Sequence, residues 1–218
     1  MSLLNPEDYI ITRKRKKYKF ALFANSSLCF EFEDWKNDDP KPDFLEIGAG
    51  TALFSVAQAK THPDRQFLAV DVKADRLQKG AMLAENEDLS NVRFLRARAD
   101  QLAETLTPDS LEGIWVTFPD PFPKERSSKH RLTHPRFLTL YSQLLRPDGA
   151  LYFKTDAHAL FDWSLEQLIV EGWIIKELSF DLHESSLDDS YKQLTTYERR
   201  FIGEDLQTHF VKAVPPRV

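Results

Sequence analysis

The chain has 218 residues, with 29 lysines and arginines against 34 aspartates and glutamates and a formal net charge of -5. That length suits one α/β domain with a full core, and the acidic balance excludes a protein coated in basic charge, so any nucleic-acid contact must use local patches. A single cysteine, Cys29, excludes an internal disulfide; with no paired ligand spacing among the six histidines, no metal site is expected.

The opening MSLLNPEDYIITRKRKK lacks the charged-then-apolar order of a signal peptide, and no apolar run is long enough to cross a bilayer. A cytoplasmic protein is expected. Residues 13 to 19, RKRKKYK, gather six cations around Tyr18. With the mixed segment ALFANSSLCFEF and the loop DWKNDDPKPD, residues 1–42 read as a basic arm and linker, and residues 43–218 as the folded domain. From Asp43 onward short apolar runs alternate with amphipathic stretches. FLEIGAG, QFLAVDV, NVRFLRA, GIWVTF, GALYFKTD, WIIKELSFDLH and THFVKAV are the predicted strands. TALFSVAQAKTH, ADRLQKGAMLAENEDL, HPRFLTLYSQLL and HALFDWSLEQLIVEG are the predicted helices. This order predicts an α/β, doubly wound, mostly parallel seven-stranded sheet with the last strand antiparallel.

The first strand ends in EIGAGTA. Gly48 and Gly50 let the backbone turn tightly and approach a ligand at a helix amino end, and Asp71, 21 residues after Gly50, can accept both hydroxyls of a ribose. As a lone GxG the pair could also be simple turn residues. A dinucleotide fingerprint is broken by Ala52 at its third position, and Glu46 before the glycines suits the positive amino and sulfonium end of S-adenosylmethionine while repelling a pyrophosphate. At the end of the third strand, either Arg98 or Asp100 should lie near the adenine.

The run FPDPFPKERSSKHRL follows the buried strand GIWVTF. Pro119, Pro121 and Pro123 hold Asp120, Phe122 and Lys124 in a stiff chain that can neither extend the strand nor start a helix. Asp120 therefore falls at the carboxyl edge of the sheet, where open α/β sheets bind ligands. Lys124, Arg126, Lys129 and Arg131 form a second cationic group and Arg199 with Arg200 a third; three such groups in an acidic chain point to a polyanionic partner.

With EIGAGTA, AVD, FPDPFPK, RLT, FKTD, DLH and TTYE in that order, the chain resembles the bacterial tRNA (guanine-N7)-methyltransferases, over nearly all of Arg13 to Glu198. The resemblance implies a Rossmann-like fold and transfer of a methyl group from S-adenosylmethionine to N7 of a guanosine in the tRNA variable loop, forming 7-methylguanosine. It implies that Glu46 and Asp71 bind the cofactor and that Asp120 is catalytic; Gly48 and Gly50 join the cofactor site by their turn, Asp120 by its sheet edge, and Asp100 as a substitute for the acid or amide usual at position 98. Lys124, Asp156, Thr195, Thr196, Tyr197 and Glu198 would contact the tRNA. Phe122 stands where the family usually has tryptophan, His130 replaces an arginine, Arg98 falls where an acid or amide is usual, and Gly203 comes early.

Guanine N7 carries an in-plane lone pair and no proton, so the transfer needs alignment more than a general base. Asp120, Asp156 and Glu198 can orient the guanine edge and favour the cation that forms, and Phe122 or Tyr197 can stack on the exposed base. Each has an ordinary alternative: Asp120 organising its proline turn, Asp156 capping the next helix, Glu198 pairing with Arg199 or Arg200. Tyr141, Trp163 and Trp173 are assigned to packing. The competing functions are methylation of another RNA, a nicotinamide-dependent dehydrogenase, and a non-catalytic RNA-binding module. Monomer and homodimer both remain open.

Overall fold

The computed structural model describes residues 14–35, 41–195, 197–198 and 207–216. It contains one sheet of eight strands, one more than the hydropathy pattern predicts. These are β1 (Cys29–Glu31), β2 (Phe44–Ile47), β3 (Phe67–Asp71), β4 (Val92–Arg96), β5 (Leu111–Thr117), β6 (Leu145–Thr155), β7 (Ile174–Ser179) and β8 (His209–Val214). Their spatial order is β1-β4-β3-β2-β5-β6-β8-β7, with β8 antiparallel to both β6 and β7 and the remaining pairs parallel. The antiparallel last strand is as expected, and it inserts between β6 and β7.

The extra strand comes from the segment assigned to the arm. Cys29, Phe30 and Glu31 pair in parallel with Phe94, Leu95 and Arg96 at the sheet edge. The preceding helix α1 (Lys14–Asn25) packs Phe23 against α3 (Ala74–Asn86), and Ser26 Oγ donates to Glu85 Oε1 at 2.5 Å. A three-residue strand carries too little alternation to register as one in sequence. Of the cationic run, the side chains of Lys14 to Lys16 and all of Arg13 lie outside the described residues.

Helices cover both faces. α1, α2 (Leu53–Thr61) and α3 close over Ala69, Val92 and Phe94. The short α4 (Leu102–Thr105), α5 (Pro135–Leu144) and α6 (His158–Val170) close over Leu45, Ile47, Ile114, Val116, Leu151 and Phe153. Covered on both sides, the central strands show near-continuous apolar runs rather than alternation, and each fully buried leucine or isoleucine contributes about 1.5–3 kcal/mol. Tyr141 and Trp173 are core, as assigned. α5 begins with Pro135 at its first position and His134 as cap, Nδ1 accepting Arg136 N at 3.3 Å.

Candidate active site

The strand order reverses between β2 and β5, and there the carboxyl ends of β2, β3, β4 and β5 open into a cavity of about 580 Å³. Each strand contributes its last residues to the wall: Gly48, Asp71, Asp100 and Asp120 all line it. Four positions far apart in sequence are thus brought together by one sheet edge.

Gly48 and Gly50 have φ of +73° and +55°, conformations that favour glycine; a Cβ on Gly48 would also come within 3.1 Å of Leu132 Cδ1. Asp71 fixes this turn from β3. Its Oδ2 accepts Gly50 N at 2.9 Å and its Oδ1 accepts Lys73 N at 2.8 Å. Each oxygen keeps a second lone pair, so both can still accept a hydroxyl from the cavity. Arg98 and Asp100 both lie on the wall, bonded to each other through Nε to Oδ1 at 2.9 Å and Nη2 to Oδ2 at 3.3 Å. The guanidinium holds the Asp100 carboxyl below its ordinary range, so an anionic acceptor is maintained at this edge.

Glu46 lies beside this turn, and the resemblance implies a cofactor role for it. Its side chain points to the α2 face of the sheet, 3% exposed, and is not part of the cavity wall. Oε2 accepts Ser55 Oγ at 2.5 Å and Oε1 accepts Thr117 Oγ1 at 2.8 Å. Alternation on β2 dictates this: Leu45 and Ile47 face the apolar core under α5, so Glu46 must face the other way. Burial raises its carboxyl from 4.5 to about 7, against the lowering pull of the two hydroxyls. A carboxyl raised on folding contributes stability in full below about pH 4.5 and loses it as pH climbs through about 7. Glu46→Gln is therefore expected to flatten the fall in stability between about pH 5 and pH 8, a fall on the order of 3 kcal/mol. Urea denaturation of both forms at the two pH values checks it.

The proline loop carries its own strain. Phe118 and Phe122, on either side of Asp120, have φ of +46° and +43°, unusual for aromatic residues and the kind of backbone found at functional sites. Asp120 is exposed, and among the described residues its carboxylate has no hydrogen-bond partner, so it does not organise its own turn. Phe122 and His130 lie together on the wall with ring centroids 5.6 Å apart. Lys124, Arg126 and Lys129 are exposed beyond them.

Asp156 follows β6 and does not cap α6; the cap residue is Ala157, whose N–H bonds Thr155 Oγ1 at 3.1 Å. Asp156 instead accepts Tyr197 Oη at 3.0 Å, and the Tyr197 ring lies 5.2 Å from that of Phe118. Through this ring pair the TTYE segment reaches the cavity edge. Within it, Glu198 Oε2 accepts Thr195 N at 2.6 Å while Thr195 Oγ1 accepts Glu198 N at 3.1 Å, the reciprocal pattern of a capping box. Glu198 is buried and paired with Lys154 at 3.1 Å and with His183 at 3.0 Å, so its partners are internal and it stands off the cavity wall. Thr196, Arg199 and Arg200 lie outside the described residues.

A family model described as "Putative methyltransferase" matches residues 40–211. The tRNA (guanine-N(7)-)-methyltransferase of Cytophaga hutchinsonii is 38% identical over 183 residues, covering 83% of this chain and 82% of that protein. That of Brevibacillus brevis is 34% identical over 197 residues, covering 89% and 91%. The chain belongs to the tRNA (guanine-N7)-methyltransferase family.

Solved structures extend the likeness of fold beyond this family. The 16S rRNA methyltransferase KamB superposes with a TM-score of 0.62 at 17% identity, covering 83% of this chain and 91% of that one. The 16S rRNA (adenine(1408)-N(1))-methyltransferase from Catenulisporales acidiphilia gives 0.60 at 14%, covering 100% and 97%. At these identities the Rossmann-like fold is what is shared.

Family motifs do not announce every residue that builds this site. Ser55, Thr117, Lys154 and His183 hold Glu46 and Glu198, and only a lysine inside the apolar strand segment LYFKT hinted at them. Among the described residues no helix is long and apolar enough to cross a membrane, and no group of three or more histidine, cysteine or acidic side chains could hold a metal ion.

Proposed function

We propose that the protein, a tRNA (guanine-N7)-methyltransferase by family, binds S-adenosylmethionine in the cavity at the β2–β5 ends and methylates N7 of a guanine in tRNA in the cytoplasm. The observation that carries this reading is Asp120: an unpartnered carboxylate on a strained loop, at the wall of a cavity whose other acids, Asp71 and Asp100, are already oriented. The cavity suits a nucleoside. Asp71 offers both oxygens to a ribose, Asp100 offers a fixed anionic acceptor to a purine edge, and Ile47, Ala97 and Phe137 supply apolar wall for the ring.

When bound, S-adenosylmethionine supplies an electrophilic methyl group on a sulfonium. The remaining work falls to the protein. N7 needs no proton removed, so Asp120 acts by orienting the guanine and by offsetting the positive charge that develops on it. Tyr197, 41% exposed and held by Asp156, and Phe122 offer faces on which an extruded base can stack. Lys124, Arg126 and Lys129 lie where the flanking phosphates would run. Glu198 supports Tyr197 from behind by holding the turn at Thr195.

The test is incubation of purified protein with labelled S-adenosylmethionine and unmodified tRNA, followed by digestion to nucleosides; label in 7-methylguanosine supports the assignment, and label in any other nucleoside refutes it. A second expectation concerns the cofactor. Asp71→Ala removes a hydrogen-bonded carboxylate and frees the Gly50 turn, so calorimetry should show S-adenosylmethionine binding weakened by about 1.5–3 kcal/mol. NAD affinity in the wild type without S-adenosylmethionine affinity would overturn the reading of this cavity.

A further inference from the structure

Arg131 closes the cationic run after the proline loop, where sequence alone counts it with the phosphate-binding side chains. Its surroundings differ from those of Lys124, Arg126 and Lys129. Two of its guanidinium nitrogens donate to one acceptor, the Phe122 carbonyl, from Nε at 3.3 Å and from Nη2 at 3.1 Å. The face of the guanidinium lies 4.4 Å from the centroid of the Trp163 ring on α6. Two of its five N–H donors are thus held by a carbonyl and one face by an indole, an environment that none of the three exposed cations shares.

We propose that Arg131 is a positioning residue for the Asp120 loop, a clamp that fixes the backbone at Phe122 to the helical layer. The carbonyl it holds belongs to the residue at φ +43°, two positions after Asp120, where the chain most needs outside support. The return limb is anchored at every step. Leu132 packs against the Gly48 turn and its carbonyl accepts Tyr141 Oη at 3.0 Å; Thr133 Oγ1 shares a hydrogen bond with Ser164 Oγ at 2.6 Å. Arg131 thereby links the strained loop to α6 while Leu132 ties the same limb to α5, and Trp163 is a surface for the clamp rather than simple core, being half-buried.

The proposal rests on the methyltransferase reading for its kinetic arm, and on none of it for its structural arm. Arg131→Lys keeps the charge and loses the planar fork; Arg131→Gln keeps a donor and loses the charge. In the full-length protein both should lower kcat roughly tenfold to a hundredfold, the scale of a small misplacement of a reacting group, with tRNA KM and its salt dependence unchanged. Trp163→Leu should act in the same direction, and combined with Arg131→Lys should be no worse than Arg131→Lys alone, since both remove one device. Trypsin cleavage after Lys124, Arg126 and Lys129 should accelerate in both Arg131 variants, whether or not tRNA is the substrate. Unchanged cleavage in both overturns the clamp. So does an Arg131→Gln enzyme with full kcat, raised tRNA KM and a salt slope reduced by about one unit, the signature of a lost phosphate contact. Absence of tRNA methylation by the wild type together with accelerated cleavage would instead refute the assigned reaction and leave the clamp standing.

Discussion

Replacing Asp120 with alanine is expected to lower kcat by about 10²- to 10³-fold, the scale seen when a group aimed at developing transition-state charge is removed, and to change tRNA KM far less. The direction follows from the geometry. The carboxylate is exposed at the cavity wall and makes no hydrogen bond among the described residues, so its removal leaves no buried partner stranded and should scarcely affect folding. Asp120→Asn keeps the shape and one acceptor oxygen; it should retain more activity than alanine if orientation dominates, and no more if the negative charge does. Single-turnover rates at saturating tRNA separate the cases. Full recovery of rate at saturation would show Asp120 to be a binding residue only.

The sheet edge that presents Asp120 was largely legible in the sequence. Apolar runs ending in Gly48, Asp71, Asp100 and Phe118 name four strand ends, and the rule that such ends face the ligand places them together. The side of the sheet each residue faces was less legible, because a motif fixes position along the chain and not burial. Glu46 adjoins the glycines, and that position alone does not announce its hydrogen bonds to Ser55 and Thr117. Glu198 sits in a motif implied to contact the tRNA, and nothing in that motif announces its capping box and buried ion pair. β1 is not legible because three residues show no periodicity, and the setting of Arg131 is not, because a guanidinium stacked on an indole looks in sequence like one more surface cation.

Lys154 illustrates the same point with the largest energetic consequence. In LYFKT the lysine follows Leu151, Tyr152 and Phe153, and a lysine on a strand ordinarily faces water. Here the face that carries Lys154 is covered by Phe54 and by Glu198 of the TTYE turn, and Lys154 is fully buried. Its Nζ donates to Gln193 O at 3.1 Å and to Glu198 Oε2 at 3.3 Å, and it lies 5.7 Å from the centroid of the Phe54 ring. Burial lowers its ammonium from the ordinary range, and Glu198 and then Glu46 pull it back, so one cation answers two buried acids. Lys154→Met is expected to destabilise the fold by about 3–5 kcal/mol, because it strands a carboxylate away from water. The loss should grow with pH as Glu46, raised to about 7 by burial, ionises with less compensation, and it should shrink in acid. Adding Glu198→Gln keeps the acceptor for Thr195 N while discharging the acid, and should return part of the loss. Urea denaturation of the single and double variants across pH reads all three statements. A single-variant loss below about 1 kcal/mol, the worth of a surface pair, would show that Lys154 and Glu198 do not behave as a desolvated ion pair.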